Sequence, residues 1–206
     1  MVLSRIRCCS RSGESATCED PPPKLSSSPA FRLANVETGL TLDHFEISQI
    51  GTTAEDQATE LTPSAAFRLR WPFMKTGVSG VTHVIEPVVQ LAWSGGSNPD
   101  IPQDESTAIE FDEGNLFNIS RFNAPDRRER GYSGAYGISY ARFDPSGWEG
   151  RLAVGQVIRD ERLREPTGTP TFTKSSGLRD QTSDLLVAGQ YRSATGLAVT
   201  ARGLFD

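Results

Sequence analysis

Thr82-His83-Val84-Ile85-Glu86-Pro87-Val88-Val89-Gln90-Leu91-Ala92-Trp93 alternates in polarity along its whole length. Val81, Ile85, Val89, Leu91 and Trp93 take one set of alternate positions. Thr82, Glu86, Gln90 and Ala92 take the other. Successive side chains of a strand point to opposite faces, so this spacing predicts a strand with one apolar and one polar face.

The same period recurs on both sides. Within 60–71, Leu61, Pro63, Ala65, Phe67, Leu69 and Trp71 oppose Thr62, Ser64, Ala66, Arg68 and Arg70. Within 131–142, Tyr132, Tyr136, Ile138 and Tyr140 oppose Ser133, Ala135, Gly137, Ser139 and Ala141. Further strands are predicted at about 149–158, 184–191 and 196–205, and an earlier one at 33–48 that changes phase near Asp43. That makes about seven. The connections sort by length. Pro72–Gly80, Phe143–Gly147 and Arg192–Thr195 are short; Ser48–Thr59, Ser94–Arg130 and Arg159–Ser183 are long and polar. Tight turns at one end and long loops at the other are the plan of an outer-membrane barrel. Trp71, Trp93, Tyr140, Trp148 and Tyr191 fall near predicted strand ends, where interfacial aromatic girdles sit. The fold class is therefore all-β: antiparallel up-and-down strands, a partial segment of a large outer-membrane β-barrel.

Bulk composition is compatible with this. The chain has 206 residues, is 36% hydrophobic and has a mean hydropathy of -0.39. Lipid-facing and lumen-facing residues average out in a barrel, so low hydropathy does not exclude one. A net charge of -5 argues against a nucleic-acid partner. Cys8, Cys9 and Cys18 all lie before the patterned region and have no metal-site spacing. Residues 1–30 combine Arg5, Arg7 and Arg11 with Pro21-Pro22-Pro23 and Ser26-Ser27-Ser28. Arg5 and Arg7 interrupt any apolar core, so the segment reads as disordered or spurious and not as an export signal. Residues 31–206 read as the partial barrel.

Several phrases occur in a characteristic order: Leu61-Thr62-Pro63-Ser64-Ala65-Ala66, Arg70-Trp71-Pro72-Phe73, Thr82-His83-Val84-Ile85-Glu86-Pro87-Val88, Phe111-Asp112-Glu113-Gly114-Asn115-Leu116-Phe117, Arg121-Phe122, Asp126-Arg127 and Tyr136-Gly137. Here the chain resembles the C-terminal barrel of the LptD (organic solvent tolerance) family, most closely its alphaproteobacterial members. The resemblance runs from about Phe31 to Asp206 and is strongest over 60–142. It implies a component of an outer-membrane translocon that takes lipopolysaccharide from a periplasmic bridge protein and inserts it into the outer leaflet. The implied partners are lipopolysaccharide, an LptE-like plug lipoprotein, the bridge protein and outer-membrane lipids. It implies no catalytic site and no cofactor. The family's periplasmic β-jellyroll is absent from these residues, and about seven strands are far fewer than its barrel. The chain thus reads as a fragment, and the expectation is that it does not transport lipid by itself, because a sheet in lipid must close.

The candidate family-motif residues are His83, Glu86, Pro87, Asp112, Glu113, Asn115, Leu116, Phe117, Arg121, Phe122, Asp126 and Arg127. Pro87 removes a ladder donor and is expected to mark an edge or a bulge. Arg68, Arg70, Glu86, Arg151 and Arg202 are expected to face the lumen, as ordinary lining with Arg–carboxylate pairs or as a polar track for phosphate-bearing saccharide. In the loop, Leu116, Phe117 and Phe122 among charges predict a segment that folds back and packs. Asp112, Glu113, Asp126 and Arg127 are candidates for one ion-pair network. Asp100, Asp104, Glu105, Glu110, Asp112 and Glu113 fit no EF-hand spacing, and no metal site is expected. His44 and His83 are isolated, with no HExxH, GxSxG or GKS/T set, so an enzyme is not expected. Two alternatives stay open: a soluble β-sandwich or lipocalin-like binding module, and a fragment of a general porin.

Overall fold

The computed structural model describes residues 33–46, 57–98, 109–124, 126–160, 172 and 174–206. The expectations for residues 1–30, and with them all three cysteines, lie outside the described residues.

The strands are β1 (Leu33–Glu46), β2 (Gln57–Arg70), β3 (Phe73–Thr76), β4 (Thr82–Ser94), β5 (Gly131–Phe143), β6 (Glu149–Arg159), β7 (Leu185–Arg192) and β8 (Ala198–Phe205). All pair antiparallel in one sheet, in the order β1-β2-β4-β5-β6-β7-β8, with β3 also on β4. The only helical element among the described residues is a single 3-10 turn at Lys174–Ser176. The sheet is an up-and-down meander whose edge strands β1 and β8 are not hydrogen-bonded to each other, so it is an open barrel segment.

β3 continues β2. The β2–β4 register runs from Ser64↔Ser94 to Arg70↔Val88 and resumes without slip at Phe73↔Ile85. Counted across the wall there are seven strands among the described residues, and Phe73–Thr76 belongs to one of them and not to the expected turn. The interruption has a chemical cause. Trp71 N–H donates to Pro87 O at 3.0 Å, but Pro87 has no N–H to return the bond. Pro87 does not, as expected, lie at an edge. β4 is interior and pairs on both sides, and the break falls on the partner strand at Trp71-Pro72. The expected phase change near Asp43 is also absent. β1 stays in register from Leu33↔Arg70 to Glu46↔Gln57, so Phe45 is merely an apolar residue on the polar-side phase.

The two faces differ sharply. Cross-strand partners share a face, so the register fixes both sets. Outward are Val36, Leu40, Leu42, Leu61, Phe67, Val89, Leu91, Tyr132, Ile138, Leu152, Ile158 and Val199. Leu40 keeps 70% and Leu91 64% of their surface exposed. No second sheet among the described residues covers them, which removes the core a sandwich requires. The opposite face is buried under chain: the β4–β5 and β6–β7 connections fold onto it. Phe111, Leu116, Phe172 and Leu178 from these connections pack with Ala135, Val157 and Leu186 of the wall.

The three short hairpins share one design. Gly80, Gly147 and Gly196 have φ of 79°, 94° and 94°, the left-handed region that glycine enters freely. In each, the glycine N–H bonds back three residues, to Gly77, Asp144 and Ser193. This is a type I turn closed by a left-handed residue, which suits the twist of the flanking strands.

Candidate functional site

The candidate functional surface is the inner face with the loop that fills it, described over 109–124 and 126–130. Alternation places Ala58, Thr62, Ala66, Val88, Gln90 and Ala92 there, all buried. Small residues make the depression: Gly137 and Gly155 sit directly opposite each other on β5 and β6. A Cβ at Gly137 would lie 3.2 Å from Leu116 Cδ2 and 3.3 Å from Phe117 Cζ. At Gly155 it would collide with Leu116 and lie 2.9 Å from Tyr136 O. The pair is glycine because the loop comes down onto the wall. Replacing Gly155 by alanine should therefore lift Leu116 and destabilise the chain by roughly 1–3 kcal/mol, the ordinary range for overpacking, as read by denaturant unfolding.

The loop is shaped by its own short polar residues. Asp112 Oδ1 accepts from Gly114 N at 2.8 Å and Asn115 N at 2.9 Å. Asn115 Oδ1 accepts from Asp112 N at 3.0 Å, and its amide donates to Glu110 O at 2.6 Å. Asx turns of this kind fix a reversal without regular structure. The reversal aims Leu116 and Phe117 at the wall. Arg68 then reaches up: Nη2 donates to Phe117 O at 2.6 Å, Nε donates to Gln90 Oε1 at 2.7 Å, and the guanidinium lies 5.6 Å from the Phe117 ring. Phe122 stacks on Phe172 of the next loop, centroids 5.0 Å apart.

Charged ties hold the loop at its centre and toward both edges of the sheet. The central one is buried: Arg121 Nη1 meets Glu129 Oε2 at 2.9 Å, with side chains 0% and 4% exposed. Glu129 Oε1 also accepts from Arg121 N at 3.0 Å, and Arg159 Nη1 lies 3.9 Å from Oε2. Toward β1 and β2, Arg128 pairs with Asp43 at 3.0 Å and Arg130 with Glu60 at 3.7 Å. Toward β8, Arg202 grips Glu113 in bidentate fashion at 2.8 and 3.1 Å and takes Glu110 at 3.0 Å, with Asp112 at 3.8 Å. The hydrogen bond from Arg202 holds the Glu113 carboxyl below its usual range. Of the acidic cluster, Asp100, Asp104 and Glu105 lie outside the described residues, while Glu110, Asp112 and Glu113 converge on a guanidinium. One loop thus reaches from one edge of the sheet to the other.

The outer face carries aromatic pairs near both of its ends, with Phe67 and Tyr136 between them. Trp93 and Tyr132 lie 6.5 Å apart at the long-loop end. His83 with Tyr140, and Trp148 with Tyr191, lie 6.0 and 5.9 Å apart at the short-turn end. His83 and Trp93 are ten residues apart on β4. At ~3.4 Å per residue and the ~35–45° tilt of membrane barrels, that stands ~25 Å tall, the height of an apolar barrel band.

A family model described as "LptD: LPS transport system D" matches residues 25–206. The chain belongs to the LptD family. No curated protein and no solved structure matches it. Its place is accordingly in lipopolysaccharide transport and assembly at the outer membrane, and the open antiparallel sheet is a segment of an LptD barrel.

The family phrases can now be located. His83 and Pro87 are on the outer phase of β4, where His83 Nδ1 and Tyr140 OH share a hydrogen bond of 2.8 Å. Glu86 is on the inner phase, 2.6 Å from Arg70 Nη2. Arg68, Arg70, Arg151 and Arg202 share that phase, Arg151 lying 3.5 Å from Glu149. Asp112 and Asn115 build the loop reversal, and Arg121 carries the buried tie. Asp126 and Arg127 are buried further along the loop. Asp112 and Glu113, two of the four residues expected in one network with Asp126 and Arg127, contact Arg202 of β8. Sequence reasoning missed Asp43, Glu60, Arg128, Glu129, Arg130 and Arg159. A signal existed in the charged run Arg127-Arg128-Glu129-Arg130 immediately before an alternating strand, where unpaired charge at a wall entrance demands partners.

Proposed function

We propose that this chain is a section of the wall and lumen lining of a lipopolysaccharide translocon, which passes lipopolysaccharide into the outer leaflet. The observation that carries the reading is the division of one sheet into an exposed apolar face ~25 Å tall and a polar inner face filled by its own loop. The short-turn end then faces the periplasm and the long-loop end the exterior. Inner-face arginines, hydroxyls and amides suit a saccharide bearing phosphates, and the lumen is the place for an LptE-like plug lipoprotein. A periplasmic bridge protein would deliver cargo. Brominated lipids should quench Trp71 and Trp93 strongly in bilayers. Quenching only by an aqueous agent would favour a soluble binding module.

By itself, the segment is inactive on this reading. Among the described residues nothing pairs with the outer edges of β1 and β8, and hydrocarbon offers unpaired N–H and C=O groups no partner. Outer membranes from cells making only these 206 residues should contain no heat-modifiable monomer of the chain by semi-native electrophoresis. Its recovery would show that the segment closes or pairs without further strands.

A further inference from the structure

The outward strand positions are almost free of Asp, Glu, Lys, Arg and His, and where these occur they are sorted by end. On outward strand positions, His44 and Glu46 lie at the long-loop end of β1. All the others, Lys75, His83 and Arg142, lie at the short-turn end. These three form one cross-strand row: Lys75 is opposite His83, and His83 is opposite Arg142. Basic residues placed directly opposite repel, so a row with few acids favours an anion beside it. Among the described residues the row has a single acidic neighbour, Asp144 in the exposed turn, 3.5 Å from Arg142. No carboxylate among the described residues is in ion-pair contact with Lys75, whose side chain is exposed. Arg142 Nε is buried without a hydrogen-bond partner.

The surroundings place the row at a membrane surface. Arg142 lies over the Trp148 ring at 4.7 Å, an aromatic–cation pair of the interfacial kind. His83 Nδ1 is occupied by Tyr140 OH, which leaves Nε2 for an outside group. The next outward row toward the middle of the wall, Phe73, Ile85, Tyr140 and Leu152, is apolar but for the tyrosine hydroxyl. With strands ~4.8 Å apart, the three basic groups span ~10 Å, the breadth of one lipid headgroup. Resting on the membrane-wall reading above, we propose that Lys75, His83 and Arg142 form a binding site for the phosphate of an anionic glycerophospholipid in the leaflet at the short-turn end. The acyl chains would lie along the apolar rows, and the site anchors this part of the wall at a fixed depth.

The test uses the full chain in non-ionic detergent, titrated with phosphatidylglycerol or phosphatidylcholine and read by Trp148 emission in a W71F/W93F background. Phosphatidylglycerol should bind in preference. The variant K75Q/R142Q should weaken it by about tenfold or more and leave phosphatidylcholine unchanged, since each basic group near an anionic surface contributes appreciably. K75R/R142K should keep the preference, which separates lost charge from lost fold. Equal binding of the two lipids, or an undiminished preference in K75Q/R142Q, overturns the site. Lipopolysaccharide competing as well as phosphatidylglycerol at equal phosphate overturns the assignment to this leaflet's lipid. Quenching of Trp93 by brominated lipid is read on the protein without the W71F/W93F changes. Its persistence beside a lost phosphatidylglycerol preference makes the site alone the failure, whereas its loss removes the membrane-wall reading on which the site depends.

Discussion

Glutamine at Glu129 should release the loop from the lumen. The carboxylate is 4% exposed and serves Arg121, which is fully buried, and Arg159, which is 5% exposed on its side chain. Glutamine keeps the shape and removes the charge, leaving two guanidiniums facing each other without their anion. Removing one partner of a buried pair costs roughly 3–5 kcal/mol, because the remaining charge stays desolvated. Arg159 cannot relax freely, as its Nη2 is committed to Leu178 O and Asp180 O. The measurement is limited proteolysis of 109–130 beside denaturant unfolding. Cleavage in E129Q should be far faster than in the unmodified chain, and unchanged cleavage would mean that the apolar contacts of Leu116 and Phe117 suffice. The double variant R121M/E129L should recover only the part of the loss that belongs to Arg121, since an apolar pair often replaces a buried ion pair without penalty, while Arg159 and the Arg121 N–H still lack the carboxylate.

Arginine at Val89 should cost nearly as much, for a different reason. Val89 is outward on β4, midway between the His83 and Trp93 rows, and 43% exposed. An arginine at the middle of a lipid-facing wall costs about 2–4 kcal/mol. The neighbouring Gln90→Arg faces inward beside Arg68 and meets polar chain instead, so its cost is set by crowding and like charge and not by lipid. Urea unfolding in bilayers against detergent separates the two. V89R should lose stability mainly in bilayers, whereas Q90R should behave alike in both. A soluble sandwich would show the V89R loss in detergent-free buffer as well.

How much was legible in the sequence follows from what each element depends on. Strands, their faces and the sorting of connections rest on local period and on turn residues, so β4 and β5 could be read from alternation alone. The ladder break could not be placed on the correct strand. Pro87 is visible in sequence, but its effect appears where its carbonyl meets Trp71, a pairing that only the register supplies. The same holds for the inner face. That Leu116 and Phe117 fold back was readable from apolar residues in a charged loop. That they land on Gly137 and Gly155 was not, because the two glycines come together only when β5 pairs β6. Ion pairs were least legible of all. Asp43 finds Arg128 across 85 residues and Glu113 finds Arg202 across 89, and many other partners had the right sign.

The repeated hairpin has a kinetic consequence. Gly80, Gly147 and Gly196 close turns of a few residues, so β3–β4, β5–β6 and β7–β8 need almost no chain entropy to meet. Such pairs form in roughly microseconds, whereas contacts that close loops of dozens of residues form later. The wall is therefore assembled from two-stranded blocks joined by long connections. The loop at 109–130 can find Gly137 and Gly155 only after the block β5–β6 exists. The order of contacts thus places the filling of the lumen after the pairing of the wall.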